Sequence, residues 1–426
     1  MADMTRIELF PGVSLTAVHT KKFKSSVLGV QFLSPLSAET ASANALVPSV
    51  LRRGTARHLD MEALSAALDE LYGGSIEPVV RTRGETQCVG FLGSFLDDAY
   101  TLDGSPVLEQ AAALLGELLL EPYTEHGVFC PDYTAGERTN LIDRIRAQIN
   151  EKRSYAVKRL KEEMCAGEPF GVDRLGDEAH AAALTPELLW ARYQDLLRSA
   201  PIEVYYCGSA APERAAGALR AALAGLPQGG ARTFPGRPAP HAAPDVPREV
   251  VEAMDVTQGK LTMGLRTGIQ AWDDAHPALL LLNAVFGGTT TSKLFLNVRE
   301  KLSLCYYASS GLMHYKDVMV VSSGVDFDKV EAARAEILAQ LSACKAGQFE
   351  DWELQGARRS VASALRSSAD AQSRLEEFWL GQAVAGLSES PEDLAARVEA
   401  VTRAQVVEAA QKLALDTVYF LKGKEA

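Results

Sequence analysis

The sequence predicts an α+β protein made of two similar halves, on three observations. The 426 residues are interrupted once by a proline-rich stretch, 226–250, with a domain-sized segment on either side. The same order of landmarks occurs before and after it: a strand, then a helix ending at a Gly-Thr turn, and at the close a Thr-capped helix leading into a strand. Helices are also grouped within each half, where an α/β protein would alternate them strictly with strands.

The first half opens with strand-like runs at Ile7 to His19 and Val27 to Leu33, separated by Lys21, Lys22 and Lys24. A helical stretch follows and ends at Gly54-Thr55. Asp60 then caps a segment with Leu64, Leu68 and Leu71 on one face, and Gly73-Gly74 stops it. Glu137 to Met164 reads as a long, highly charged helical stretch carrying Leu141, Ile142, Ile145 and Ile149. Thr185 with Pro186 starts a helix, as N-cap and first-turn residue, that leads to a strand at Ile202 to Cys207. From Leu226 to Val250 the prolines fix φ and supply no amide, so this stretch is expected to link domains 1–225 and 251–426. In the second half Lys260 to Arg266 is a strand. His276 to Phe286 is an apolar helix ending at Gly287-Gly288-Thr289, and Thr402 starts a helix leading to the strand Thr417 to Leu421.

Composition excludes several classes of function. Hydrophobic residues make up 47% and charged residues 23%, an ordinary globular balance. The net charge of −12 repels phosphate backbones and anionic lipids, so neither nucleic acid nor a membrane surface is expected as a partner. Apolar runs such as Ala278 to Phe286 are short of the roughly 20 residues of a spanning helix. Asp3, Arg6 and Glu8 interrupt the place of a signal-peptide core, which predicts a cytoplasmic protein. Six scattered cysteines read as core thiols, and no two of the seven histidines share the i, i+4 spacing of a local metal site. Gly288-Thr-Thr-Thr-Ser-Lys293 lacks the G-x4-G-K order of a phosphate loop and reads as a turn. The charge run from Glu151 to Glu163 reads as a solvated helix face, with a subunit contact as the alternative.

Taken together, the opening strands, the helix ending in Arg53-Gly54-Thr55, and Leu71-Tyr72-Gly73-Gly74-Ser75-Ile76 resemble the insulinase/pitrilysin-like zinc metallopeptidases. Glu137-Arg138 and Arg299-Glu300 share the resemblance, which runs from about Ile7 to Leu421. It implies two homologous halves, each a mainly antiparallel sheet with helices packed on one face, together half of a clam-shaped enzyme. In that family two histidines and the intervening glutamate of H-x-x-E-H bind zinc and activate water, and a later glutamate completes the ligand set. Counted back from Gly54-Thr55, the motif falls on Ala45-Leu46-Val47-Pro48-Ser49, and counted on from Glu137 the last ligand falls on Arg144. Ala45, Pro48, Ser49 and Arg144 therefore stand at all four catalytic positions. A methyl group has no donor atom, serine is a poor zinc ligand at neutral pH, and a guanidinium repels the ion. No catalytic residue, metal ligand or cofactor is expected in this chain. The nearest histidine, His58, lies beyond the turn and has no histidine partner.

A second family feature is kept. Gly287-Gly288 and Ser292-Lys293-Leu294 lead into Arg299 and Tyr306, at the R-x6-Y spacing with which relatives contact the peptide and its reacting carbonyl. An arginine fork suits a carbonyl and a phenol can donate to an oxyanion. Ser303 departs from the family, which has glycine there. The resemblance, which extends to the inactive members found in Gram-positive bacteria, implies a non-catalytic subunit. Its partner would be a homologous peptidase subunit holding the zinc, and a peptide the substrate of the pair. Self-association without that partner stays open, as does the alternative of a non-proteolytic scaffold or binding protein.

Overall fold

The computed structural model describes residues 3–227 and 230–424. The chain begins with β1 (Asp3–Phe10), β2 (Val13–His19), β3 (Ser25–Pro35), α1 (Ala38–Leu51), α2 (Met61–Glu70), β4 (Ser75–Arg83), β5 (Thr86–Leu96) and α3 (Val107–Leu120). A small hairpin of β6 (Thr124–Glu125) and β7 (Val128–Phe129) precedes α4 (Pro131–Ala147) and α5 (Lys152–Met164). Then come α6 (Glu178–Ala182), α7 (Pro186–Ser199), β8 (Ile202–Gly208) and α8 (Pro212–Ala222). After the proline-rich stretch follow β9 (Arg248–Met254), β10 (Gly259–Arg266), α9 (His276–Asn283), β11 (Cys305–Met313), β12 (Val318–Val325), α10 (Val330–Lys345) and α11 (Asp351–Ser367). The last elements are α12 (Gln372–Ala385), α13 (Pro391–Ala400), α14 (Arg403–Lys412) and β13 (Ala414–Gly423).

The fold is α+β, and the duplication is visible in the sheets. One sheet has the order β1-β2-β8-β3-β5-β4 and the other β11-β12-β10-β13-β9. In each, three antiparallel strands are followed by a fourth antiparallel strand from the end of the half, which pairs in parallel with its outer neighbour: β2 with β8, and β9 with β13. The caps read from the sequence form as expected. The side chains of Asp60, Thr185 and Thr402 accept from the amides of Ala63, Leu188 and Gln405. Two runs are divided where the sequence reads as continuous. Ile7 to His19 is a hairpin turning at Gly12, whose φ is +71°. Glu137 to Met164 is two helices, broken at Gln148–Asn150.

The chain forms two compact units, each assembled from separate stretches. Residues up to Arg146, Val172–Gly236 and Gln372–Val384 make one, and Ala147–Gly171, Arg237–Ala371 and the residues from Ala385 on make the other. A division at the proline-rich stretch alone, as 1–225, 226–250 and 251–426, does not describe this exchange. Of that stretch, 228–229 lie outside the described residues, while 230–247 form neither helix nor strand and β9 begins at Arg248.

The exchange follows from strands that are buried on both faces. In β10, Leu261, Met263 and Leu265 enter the core beneath α9 and α10. The intervening Thr262 donates to the carbonyl of Ala156 in α5, and Gly264 leaves the space that the Met164 sulfur fills, only 2.4 Å from where a Cβ would stand. Ala156, Leu160 and Met164, spaced along one face of α5, are buried with Val318, Val320, Tyr419 and Leu421. In the other sheet Val89 and Phe91 join the main core, whereas Cys88 and Leu33 on the opposite face meet Leu380 of α12. Each sheet thus has its grouped helices on one face and one incoming helix on the other.

Each incoming segment also brings a buried carboxylate. Glu376 of α12 is 1% exposed and accepts from Arg81 at 2.6 Å and from Gln31 at 2.8 Å. Glu168, which follows α5, meets the fully buried Lys316 ammonium at 2.7 Å and the Arg266 guanidinium, whose Nε lies 2.9 Å from Asp416. Burial pushes the Glu168 carboxyl up, but hydrogen bonds from Arg266 and Lys316 more than reverse this and hold it below the ordinary range. A depressed carboxyl contributes stability above its unfolded value of about 4.3 and loses it as pH falls through the folded value. Glu168→Gln is therefore expected to lower stability at neutral pH by about 3 kcal/mol, by leaving two buried cations short of a counter-charge. It should also flatten the wild-type loss of thermal midpoint below pH about 4.3. Calorimetry from pH 3 to 7 checks this, and an unchanged acid limb would contradict it.

Candidate functional site

α1 positions three of the four degenerate residues. Ten of its fourteen residues, from Ala41 to Leu51, are buried. It is held by a polar network inside the unit: Asn44 donates to Gln87 at 2.7 Å and accepts from Arg192 at 2.7 Å, while Gln87 donates to the carbonyls of Ala41 and Arg174. Ala45 is 1% exposed and Pro48 is buried within the helix, whereas Ser49 is half-buried. Pro48 has no amide for the carbonyl four residues earlier, yet its own carbonyl still accepts from Arg52 at 3.1 Å, so the helix continues through it.

Arg144 lies exposed near the end of α4. α1 and α4 are tied together where Arg53 meets Glu137 at 3.2 Å and stacks over the Tyr133 ring at 5.0 Å. By the resemblance described above these two elements would supply a zinc site, and the four side chains there do not fit zinc. One methyl, one imino acid, one hydroxyl and one permanent cation offer no ligand set. Among the described residues no group of three or more His, Cys, Asp and Glu side chains is placed to hold a metal ion.

His58 has a structural job. Its Nδ1 lies 2.8 Å from Glu117, which also accepts from the Thr55 hydroxyl, and its backbone amide donates to that hydroxyl at 2.9 Å. These bonds close the Gly-Thr turn. Gly54 is required there because a Cβ would stand 2.4 Å from the Leu59 carbonyl oxygen. The six cysteines are all free and buried, and burial pushes Cys88 up to about 12 and Cys165 up to about 11, as befits unreactive core thiols.

Arg299 and Tyr306 lie in the other unit. Arg299 sits on a π-helical segment, Leu294–Lys301, with its guanidinium 4.8 Å over the Phe295 ring and 3.5 Å from Glu300. Tyr306 is the second residue of β11 and donates to Asp326 at 3.1 Å. Asp326 also accepts from Lys329 at 2.9 Å, and Lys329 first, then Tyr306, hold its carboxyl below the usual range. Arg299 and Tyr306 stand on either side of the turn at 302–304, and no hydrogen bond joins them among the described residues. Both are exposed, Tyr306 by 61%. Ser303, between them, has φ +48°, the left-handed region that explains a glycine there in relatives.

The residues leading to this pair are core parts. A Cβ on Gly287 would stand 2.6 Å from the Ser310 amide in β11, so the glycine lets the helix end touch the strand. Lys293 is buried against Glu353 at 3.3 Å, which rules it out as a phosphate ligand. The sequence reading missed Phe295, although its place four residues before Arg299 is a signal that could have found it. It also missed Asp326 and Lys329, which carry no such signal because β12 separates them from Tyr306.

A duplicated α+β chain that carries the peptidase topology without its metal ligands defines an inactive metallopeptidase homologue. Residues 183–361 match the peptidase M16 inactive domain. The chain is 34% identical to the probable inactive metalloprotease YmfF of Bacillus subtilis (strain 168) over 415 residues, 97% of this chain and 96% of that protein. The chain belongs to the peptidase M16 family. Its fold is shared by a conserved protein from Enterococcus faecalis V583, with a TM-score of 0.89, 27% identity and 99% of both chains covered. The peptidase M16 inactive domain from Pseudomonas fluorescens has the same fold at a TM-score of 0.80 and 17% identity, with 99% of this chain and 98% of that one covered. No helix among the described residues is long and apolar enough to cross a membrane.

Proposed function

We propose that this chain is the non-catalytic subunit of a heterodimeric zinc peptidase. It contributes Arg299 and Tyr306 to a substrate site completed by a homologous, H-x-x-E-H-bearing partner. The observation that carries this reading is the contrast between the two sites. Ala45, Pro48, Ser49 and Arg144 leave no donor set, while Arg299 and Tyr306 keep the family spacing and are both exposed.

In the proposed complex the partner's zinc supplies the activated water. Arg299 orients the peptide carbonyl with its fixed fork of donors. The Tyr306 hydroxyl leaves Asp326 and donates to the developing oxyanion. That exchange of one exposed hydrogen bond for another costs about 1 kcal/mol or less. Metal analysis and peptide turnover, measured on the chain, on the partner and on the mixed pair, test the reading. Zinc and turnover are expected with the partner, and turnover should rise when this chain is added. Stoichiometric zinc in this chain alone overturns it. A partner fully active without this chain would favour a non-proteolytic binding role instead.

A further inference from the structure

We propose that the cavity between α5 and the β11–β12 pair binds a small monocarboxylate with a short apolar tail. The cavity lies within one unit and measures about 350 Å³, at the small end of the roughly 300–1,000 Å³ usual for ligand sites. Strand alternation builds its floor. Ser309, Gly311 and Met313 of β11 stand on the face toward α5, opposite Ser322, Val320 and Val318 of β12. A glycine inside a strand weakens it and often marks the close approach of another group. Here a Cβ on Gly311 would meet nothing within 4 Å. The glycine therefore opens the floor between Val320, Met313 and Val157 of α5, an apolar slot for an alkyl chain.

One end of this slot is polar, and its groups are left wanting an anion. Arg153, in the first turn of α5, donates to the Ser309 hydroxyl at 3.1 Å and stacks over the Tyr307 ring at 4.2 Å. Its guanidinium makes no ion pair among the described residues, since Glu151 is spent on the Arg153 backbone amide. Ser322, directly across the ladder from Ser309, lines the cavity, is 7% exposed, and its hydroxyl has no hydrogen-bond partner. The neighbouring Tyr307 hydroxyl stops short of bonding it and is also buried without a partner. A buried hydroxyl left unbonded costs stability. A carboxylate held by the guanidinium fork would accept from Ser322 and remove that cost. Among the described residues no acidic side chain lines the cavity to take that place, and its single cation suits a single negative charge. This inference does not depend on the proposed peptidase partnership.

Nuclear magnetic resonance of the full chain, labelled with carbon-13 at its methionine methyl groups and titrated with hexanoate at about 0.15 M salt, tests it. The Met313 signal, assigned through Met313→Leu, should shift saturably. Hexanol, which lacks the charge, and acetate, which lacks the tail, should bind at least tenfold more weakly. Gly311→Val, which fills the slot, and Arg153→Gln should each raise Kd for hexanoate at least tenfold, with circular dichroism confirming that both are folded. Without ligand, Ser322→Ala should melt no lower than the wild type, because it removes an unbonded hydroxyl, yet it should bind hexanoate more weakly. No saturable shift, equal binding of hexanol or acetate, or affinity unchanged in Arg153→Gln and Gly311→Val overturns the proposal. So does a lower melting temperature of Ser322→Ala, which would show the hydroxyl to be satisfied within the protein.

Discussion

Replacing Arg299 by alanine is expected to lower kcat/KM of the reconstituted pair about 10²–10³-fold, the loss typical when one preorganised donor to a reacting carbonyl is removed. Assembly should be unaffected. The side chain is exposed and rests on Phe295 and Glu300, so its loss should change stability by no more than about 0.5 kcal/mol. Tyr306→Phe should act mainly on kcat, since a phenol that donates to an oxyanion does so in the transition state. Size-exclusion chromatography of the mixed subunits separates lost chemistry from lost assembly. Turnover unchanged in Arg299→Ala would sink the assignment of this residue to the substrate site.

Separating the chain at the proline-rich stretch should abolish independent folding of both fragments. A fragment ending at Gly236 lacks Gln372–Val384, so Arg81 and Gln31 lose Glu376 and the sheet face around Leu33 and Cys88 is left bare. It also carries Leu160, Met164 and Phe170 with no sheet to receive them. The fragment starting at Arg237 keeps Arg266 and Lys316 buried without Glu168, at a cost of about 3–5 kcal/mol. That is a large share of the roughly 5–15 kcal/mol by which a domain is stable. Thermal circular dichroism should show no cooperative transition in either fragment, and co-expression should restore one. A fragment that unfolds cooperatively near the midpoint of the full chain would show the exchanged helices to be dispensable.

Much of this architecture was legible locally. Asp60, Thr185 and Thr402 cap helices because a short polar side chain can reach an orphan amide three residues on. The break between α4 and α5 was hidden, since Gln148–Asn150 contains neither glycine nor proline and the charge pattern runs straight through it. The exchange left a faint trace. Short apolar runs in β3, β8 and β12, such as Phe32-Leu33, Val204 to Cys207 and Val318 to Val321, hint at strands covered on both faces, but they do not say which helix covers them.

The sequence by itself set what four side chains can offer a metal. Whether Ala45, Pro48, Ser49 and Arg144 can bind zinc is a property of those side chains, and no packing arrangement gives a methyl or a guanidinium a lone pair for a metal. Family spacing likewise marked Arg299 and Tyr306. Only the tertiary structure decided which helix covers which sheet, because that choice rests on contacts such as Glu376 with Arg81, 295 residues apart in the chain. Local propensity carries no information over that distance.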